Sequence, residues 1–359
     1  MRSRCLLLVL AALAAGCTGS SEEPVRALLA VGVVNQSSQA SEIRFYLSRS
    51  LQPGTGEAPR LAGTWSLDEP LVDSLYRRSL EGGSDQLWVL TSSRLRRYST
   101  GSLRTTGVGT PTLDGFDQAL PDGCGQGYLR GGQSHLLLVC PPTDPSRPIE
   151  NYRAWRIPYN ATALPDPINF LEPNLVRLDT PARLTLGPGD QLLYLTPSQI
   201  GRYDFVNPYL ERTFTRTASP TDLIYAGNLA LGLLEGNGTT LLAWSLEAAR
   251  DPSAFPSDLA VRSFSRGAPP IFLLGTGLAR FSDGLQLPPE SVLSRSIAYR
   301  TGVVAQDQFL YLAQQSTPTL TVVDLTLNFT NLTSTALRSS TIGSFQDQLV
   351  ALAFIPVEE

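Results

Sequence analysis

One histidine, His135, and the absence of any lysine bound the chemistry open to this chain. Without lysine there is no P-loop cation, no Schiff-base nucleophile and no Ser-x-x-Lys acylase. A single histidine excludes any site of two or three imidazole ligands and allows at most one Ser-His-Asp or Cys-His arrangement. His135 stands before the apolar run Leu136-Leu137-Leu138-Val139, and no Gly-x-Ser-x-Gly elbow accompanies it. It reads as a residue entering a strand with a hydrogen-bonding role.

Carboxylates remain as the acid–base groups. Asp85, Asp190, Asp307 and Asp347 each open a similar phrase, so they could ring one face and hold a cation or a sugar. The plainer reading is an Asx-type turn before a strand. A glycoside hydrolase needs only two carboxyl groups, but among 32 acids the sequence singles out no pair. No Asp-x-Asp-x-Asp calcium loop occurs. Asp114-Gly115, Asp122-Gly123 and Asp283-Gly284 are turn signals.

The elements that would position these groups follow from an internal repeat. Asp85-Gln86-Leu87-Trp88-Val89-Leu90-Thr91 recurs as Asp190-Gln191-Leu192-Leu193-Tyr194-Leu195-Thr196, again from Asp307 to Ala313, and again from Asp347 to Ala353. Looser copies begin at Arg26, Ser134, Gly227 and Pro269. Each copy but the last is followed by a second apolar phrase with an aromatic or arginine, such as Leu95-Arg96-Arg97-Tyr98 or Leu242-Ala243-Trp244. The starts lie 37 to 59 residues apart, mostly near 40 to 50. A period of that size built from strand-like runs is the mark of propeller blades.

The first phrase is continuously apolar, as an inner strand buried on both faces must be. The second alternates, as suits a strand nearer the surface. Arg212 to Thr217 and Val261 to Phe264 have the period-2 pattern expected of outer strands. Asn237-Gly238 is a type I′ hairpin signal. Thirty Gly and 27 Pro also favour short strands and turns. The predicted fold is all-β: a β-propeller of seven blades, with six or eight also fitting, closed by pairing of the first and last strands. A pair of β-sandwiches is the alternative. No Trp-Asp ending, sialidase Asp-box or kelch glycine pair marks a blade subfamily.

The first 17 residues read Met-Arg-Ser-Arg-Cys-Leu-Leu-Leu-Val-Leu-Ala-Ala-Leu-Ala-Ala-Gly-Cys. Two arginines precede a short apolar run, too short for a span of ~20 residues and ending in small residues. The ending Ala14-Ala15-Gly16-Cys17 resembles the bacterial lipoprotein signal, with Ala14 where Leu is commoner. That resemblance implies cleavage before Cys17 and lipidation of Cys17, hence export and membrane attachment through the lipid. With the repeat, the chain resembles the broad class of bacterial propeller lipoproteins. Residues 1–16 are then a signal peptide, 17–24 the lipidated cysteine and a polar tether, and 25–359 the propeller. Five Asn-x-Ser/Thr triplets, at Asn35, Asn160, Asn237, Asn328 and Asn331, are expected by chance in such a chain.

Cys5 lies in the signal and Cys17 carries lipid, so Cys124 and Cys140 are left as an even pair. In an oxidising compartment that pair points to a disulfide; two unpaired buried thiols are the alternative. Net charge is −4, and removing Arg2 and Arg4 with the signal makes it −6. No basic cluster offsets this, so nucleic acid is not an expected partner. No cofactor or metal is expected, and a monomer is. The residues favour a non-catalytic binding or scaffolding module for an envelope protein, peptide or glycan. The alternative is an envelope glycan hydrolase or lyase working through paired carboxylates.

Overall fold

In the computed structural model the repeated phrases become neighbouring strands of a closed β-propeller. The structure describes residues 25–358 except 80–83, 122, 143–151, 169–181, 204–209, 214–217, 247–250, 258–259, 268–269, 281–289 and 327–335. Cys17, Asn328 and Asn331 lie outside the described residues. Among the described residues no helix is long and apolar enough to cross a membrane.

The first sheet holds β1 (Ala27–Asn35), β2 (Ser41–Leu47) and β3 (Leu61–Leu67), with a helical turn at Ser48–Leu51 after β2. On the free side of β1 lies the last strand, β28 (Asp347–Pro356), which pairs with it from Ala27↔Pro356 to Asn35↔Asp347. The second sheet is β4 (Leu71–Arg77), β5 (Gln86–Thr91), β6 (Arg94–Ser99) and β9 (Thr112–Ala119), with a small hairpin β7 (Leu103–Arg104) and β8 (Gly107–Val108) beside it. Next come β10 (Tyr128–Gly131), β11 (His135–Cys140) and β12 (Arg153–Pro158). The fourth sheet is β13 (Arg183–Leu186), β14 (Leu192–Leu195), β15 (Gln199–Tyr203) and β16 (Leu210–Thr213). The fifth is β17 (Ser219–Ala226), β18 (Leu229–Gly236), β19 (Gly238–Ser245) and β20 (Ser253–Ser257).

The last sheet is wide. It runs β21 (Val261–Phe264), β23 (Phe272–Arg280), β24 (Glu290–Val304), β25 (Phe309–Gln314), β26 (Thr319–Asp324) and β27 (Leu337–Thr341), with β22 (Arg266–Gly267) parallel to β24. The first part of β24 pairs with β23 and its last part, from Tyr299, with β25.

A ring closes through one strand of each unit. β28 touches β4, β4 touches β10, and the contacts continue through β13, β17, β21 and β24 back to β28. β1, β5, β11, β14, β18, β23 and β25 lie second from the axis and hold the repeated phrases. Their continuous apolarity has a simple cause: alternate residues face different neighbours, and both neighbours are sheets. Leu28 and Ala30 pack with Leu87 and Val89, whereas Leu29 and Val31 pack with Tyr311 and Leu320. Trp88 and Leu90 turn the other way, onto Leu136 and Leu138. A sheet with both faces covered cannot afford polar alternation.

Three local readings change. Val261–Phe264, expected at the rim, is an innermost strand against the axis. Val261 and Phe264 pack into a core cluster between sheets, and Ser263 lines the channel cavity. Asp347 leads the inner strand β28, whereas Asp85, Asp190 and Asp307 precede second strands, so Asp347 sits at the opposite end of its sheet. The type I′ signature appears at Gly227-Asn228, where both residues have positive φ (53° and 65°) and Ala226 pairs with Leu229. At Asn237-Gly238 the chain also reverses, but only Gly238 has positive φ.

Candidate functional site

The inner strands wall a central cavity of about 360 Å³. That volume lies at the lower end of small-molecule sites, roughly 300–1,000 Å³. Two ion pairs join remote parts of the ring in it. Asp73 of β4 meets Arg266 in a two-pronged pair, Oδ1 to Nη1 at 2.7 Å and Oδ2 to Nη2 at 2.8 Å. The same carboxylate accepts the Ser74 amide at 2.8 Å and, from the next sheet, the Leu129 amide at 2.8 Å. Asp222 of β17 repeats the device. It takes Arg130 Nη2 at 2.5 Å, the Leu223 amide at 2.9 Å and, from the next sheet, the Phe264 amide at 2.9 Å.

Both aspartates stand just past a shift in strand pairing, between Leu71 and Asp73 and between Pro220 and Asp222. A bulge re-aims the side chains beside it. Here it lets one carboxylate reach both an arginine and an amide of the adjoining sheet. Tyr128 seals the wall beside them. Its hydroxyl accepts the Leu184 amide at 2.9 Å, its ring lies 4.8 Å from the Arg130 guanidinium carbon, and burial pushes its pKa up. The guanidinium of Arg266 is held above the ordinary arginine range: burial works against its charge, and the Asp73 carboxylate more than offsets that.

A third shift lies between Tyr299 and Thr301 of β24, opposite Gln314 and Ala313 of β25. Arg300 is the extra residue. It lines the cavity and stays accessible there. Burial lowers its pKa and no carboxylate offsets the effect. Among the described residues its guanidinium has no ion-pair or hydrogen-bond partner.

At the rim, a groove of about 680 Å³ runs between the first sheet and the start of β25, lined by Arg26, Arg49, Arg60, Glu57 and Asp307 among others. Asp307 accepts Tyr311 Oη at 2.8 Å, Gln52 Nε2 at 3.2 Å and the Phe309 amide at 3.3 Å. Burial pushes its carboxyl up and these bonds do not bring it back down.

The other repeated aspartates are structural ties. Asp190, 1 % exposed, accepts the Gln133 amide at 2.5 Å, the Ser134 amide at 2.8 Å and Ser134 Oγ at 2.6 Å. His135 Nδ1 lies 2.8 Å from its Oδ2. Burial raises this carboxyl, but the Ser134, His135 and amide hydrogen bonds outweigh it and hold the pKa below the usual range. Asp190 thereby pins the β10–β11 turn of the preceding sheet, and Gly132 leaves the room its carboxylate needs. Serine, histidine and aspartate meet here, yet not as a triad. Ser134 and Asp190 both contact Nδ1, whereas a triad uses one ring nitrogen for each.

Asp85 accepts Tyr76 Oη at 2.5 Å and the Ser79 amide at 2.8 Å. Asp347 accepts Arg44 Nη2, Asn35 Nδ2 and the Ser344 amide, each at 3.0 Å, where the last strand meets the first. Among the described residues no three His, Cys, Asp or Glu side chains cluster to hold a metal. Cys124 and Cys140 form a disulfide between the segment before β10 and the end of β11, with Cα atoms 5.1 Å apart.

The sequence reading did not single out Asp73, Asp222, Arg130, Arg266 or Arg300. The aspartates and the arginines they bind lie in different sheets, up to 193 residues apart, and the meaning of Arg300 appears only once those pairs are assigned.

No protein-family model matches the sequence, and no curated protein matches it significantly. Solved propeller structures align at low identity. Apo AztD from Citrobacter koseri is 11 % identical, with a TM-score of 0.49, over 92 % of this chain and 99 % of that one. Virginiamycin B lyase from Staphylococcus aureus is 10 % identical, with a TM-score of 0.49, over 77 % and 85 %. The WD40 repeats of RRP9 are 9 % identical, with a TM-score of 0.49, over 72 % and 78 %. These likenesses carry no inference about activity.

Proposed function

We propose that this chain is a lipid-anchored, extracytoplasmic binding module whose propeller presents its channel and rim to a protein, peptide or glycan of the bacterial envelope. The wide last sheet counts as two blades sharing β24, seven in all. One observation carries the binding reading: the carboxylates that reach the channel are already committed. Asp73 and Asp222 each hold an arginine and two backbone amides. The channel can therefore hold a guest but offers neither carboxylate as a free general acid or base.

The anchor rests on the lipoprotein-like ending at Cys17. Val25 and Arg26 line the rim groove, so the chain enters the ring at that end. The eight residues 17–24 reach at most about 28 Å, which in this reading keeps the groove end beside the membrane. The protein acts as a monomer and takes no nucleic acid.

The test is crosslinking capture on intact cells with tagged protein beside a Cys17→Ser variant. A specific partner captured by the anchored form alone supports the reading. Equal membrane retention of both forms removes the anchor, and no captured protein or glycan removes the binding module.

A second reading is favoured by one feature. Asp307, with its raised carboxyl, shares the rim groove with Glu57, which suits an acid and a base acting on a glycan. Release of reducing ends from envelope glycan by the parent but not by Asp307→Asn would establish it. No release by the parent would end it.

A further inference from the structure

We propose that the central channel is a binding site for a small monocarboxylate, gripped by Arg300. The inference rests on the binding-module reading and names what the channel takes. Three arginines, Arg130, Arg266 and Arg300, and two aspartates, Asp73 and Asp222, line one cavity. The aspartates account for Arg266 and Arg130. Among the described residues one positive charge is left over, and it sits on Arg300, whose guanidinium has no partner there.

The placement of that residue is specific. Arg300 is the extra residue at a bulge, and the bulges at Asp73 and Asp222 position the other charged groups of the channel. A cation lining a channel that partly desolvates it, with no counter-ion, costs stability. A ligand bringing one negative charge removes that cost. A guanidinium presents a planar pair of N–H donors that fits a carboxylate in a two-pronged bond. The charge count asks for a monoanion, whereas phosphate at neutral pH brings close to two charges. Ile224, Ile271 and Val350 supply apolar wall for the body of the ligand, and Ser263 and Thr301 supply hydroxyl-bearing neighbours. A cavity of about 360 Å³ suits a ligand of the size of an amino-acid derivative or a single acidic sugar.

Titration calorimetry on the purified full-length protein in detergent tests this, with probes that separate the two sources. N-acetylglycine stands for a peptide carboxylate and glucuronate for a sugar acid. N-acetylglycinamide and glucose are their neutral counterparts, and inorganic phosphate is the competing anion. At least one carboxylate is expected to bind, its neutral counterpart to bind at least tenfold more weakly, and phosphate to bind more weakly than the carboxylate. Arg300→Gln is expected to lose about tenfold to a hundredfold in affinity, the range for a charge-assisted bond. Its thermal unfolding should match or exceed the parent's, which separates lost binding from lost folding.

Binding of neither carboxylate, equal binding of the neutral probes, tighter binding of phosphate, or full affinity in Arg300→Gln each overturns the proposal. The capture experiment keeps the two failures apart. A partner still captured by a protein that binds neither carboxylate sinks the anion site and leaves the module standing. No partner and no carboxylate sink both.

Discussion

The Asp73–Arg266 pair gives the sharpest test of how this ring is held. Asp73 is 5 % exposed at its side chain and serves three donors: Arg266, the Ser74 amide and the Leu129 amide of the next sheet. Arg266 is 26 % exposed and has a second acceptor, Ser74 O at 3.1 Å. The two ends should therefore differ. Asp73→Ala strands a cation and two amides together, and breaking a buried pair from one side costs about 3–5 kcal/mol. Channel water that can reach Arg266 puts the expectation near the lower end, about 3 kcal/mol. Arg266→Met leaves the carboxylate with both amides, so about 1–2 kcal/mol is expected. With an unfolding entropy of about 2.1 cal/mol/K per residue, a propeller of this size loses roughly 4 °C in Tm for 3 kcal/mol. Combining Asp73→Leu with Arg266→Met removes both charges, and the pair should recover the part of the loss due to the stranded cation, while the Ser74 and Leu129 amides stay without their acceptor. Differential scanning calorimetry of the three variants at one pH measures all of this. An Asp73→Ala variant less costly than Arg266→Met would refute the clamp argument. So would a double variant no more stable than Asp73→Ala.

Three further outcomes are expected. Reducing Cys124–Cys140 frees a loop spanning 16 residues, worth about 3 kcal/mol in the chain-entropy model, so melting with and without reductant should differ by roughly 4 °C. Asp190 and Asp347 are held below the ordinary carboxylate range, so the stability they add is complete above about pH 4 and lost as pH falls through their folded pKa values. Asp190→Asn should lower Tm at neutral pH and flatten the acid limb of Tm against pH; an unchanged limb contradicts the tie. Asp307 carries the opposite sign: its folded pKa is raised, so its ionisation costs stability as pH climbs through that interval. Asp307→Asn should be at least as stable as the parent at neutral pH, and a marked loss there counts against the raised carboxyl.

What the sequence made legible was what burial alone dictates. Trp88, Tyr194 and Tyr311 lie in unbroken apolar phrases because each phrase is covered on both faces, so a hydrophobicity pattern is enough to find the second strands. The inner strands escape that pattern. Ser263-Phe264-Ser265 lines the channel with its serines and packs Phe264 into a core cluster between sheets, and such short alternation looks the same at the centre as at the rim. Asp347-Gln348-Leu349 shows the limit from the other side. It repeats the wording of a second strand but pairs beside β1 as an inner one, a placement set by its partner strand and not by its own residues.

The channel charges were illegible for a related reason: their meaning lies in pairings, not in residue types. Asp73 and Asp222 look like any aspartate near a strand start, and what distinguishes them is a bulge that aims each at an amide in the adjoining sheet. Once those two are assigned, the remaining charge balance follows without further geometry. Arg266 and Arg130 are neutralised, and Arg300 is not. Arg300 stays exposed on the channel wall without a partner among the described residues, so a neutral side chain there should cost the fold little, whereas a carboxylate guest needs the guanidinium. The unpaired charge therefore argues for a guest, and an Arg300→Gln variant that is no less stable but no longer binds a carboxylate is the signature that a purely structural channel would not give.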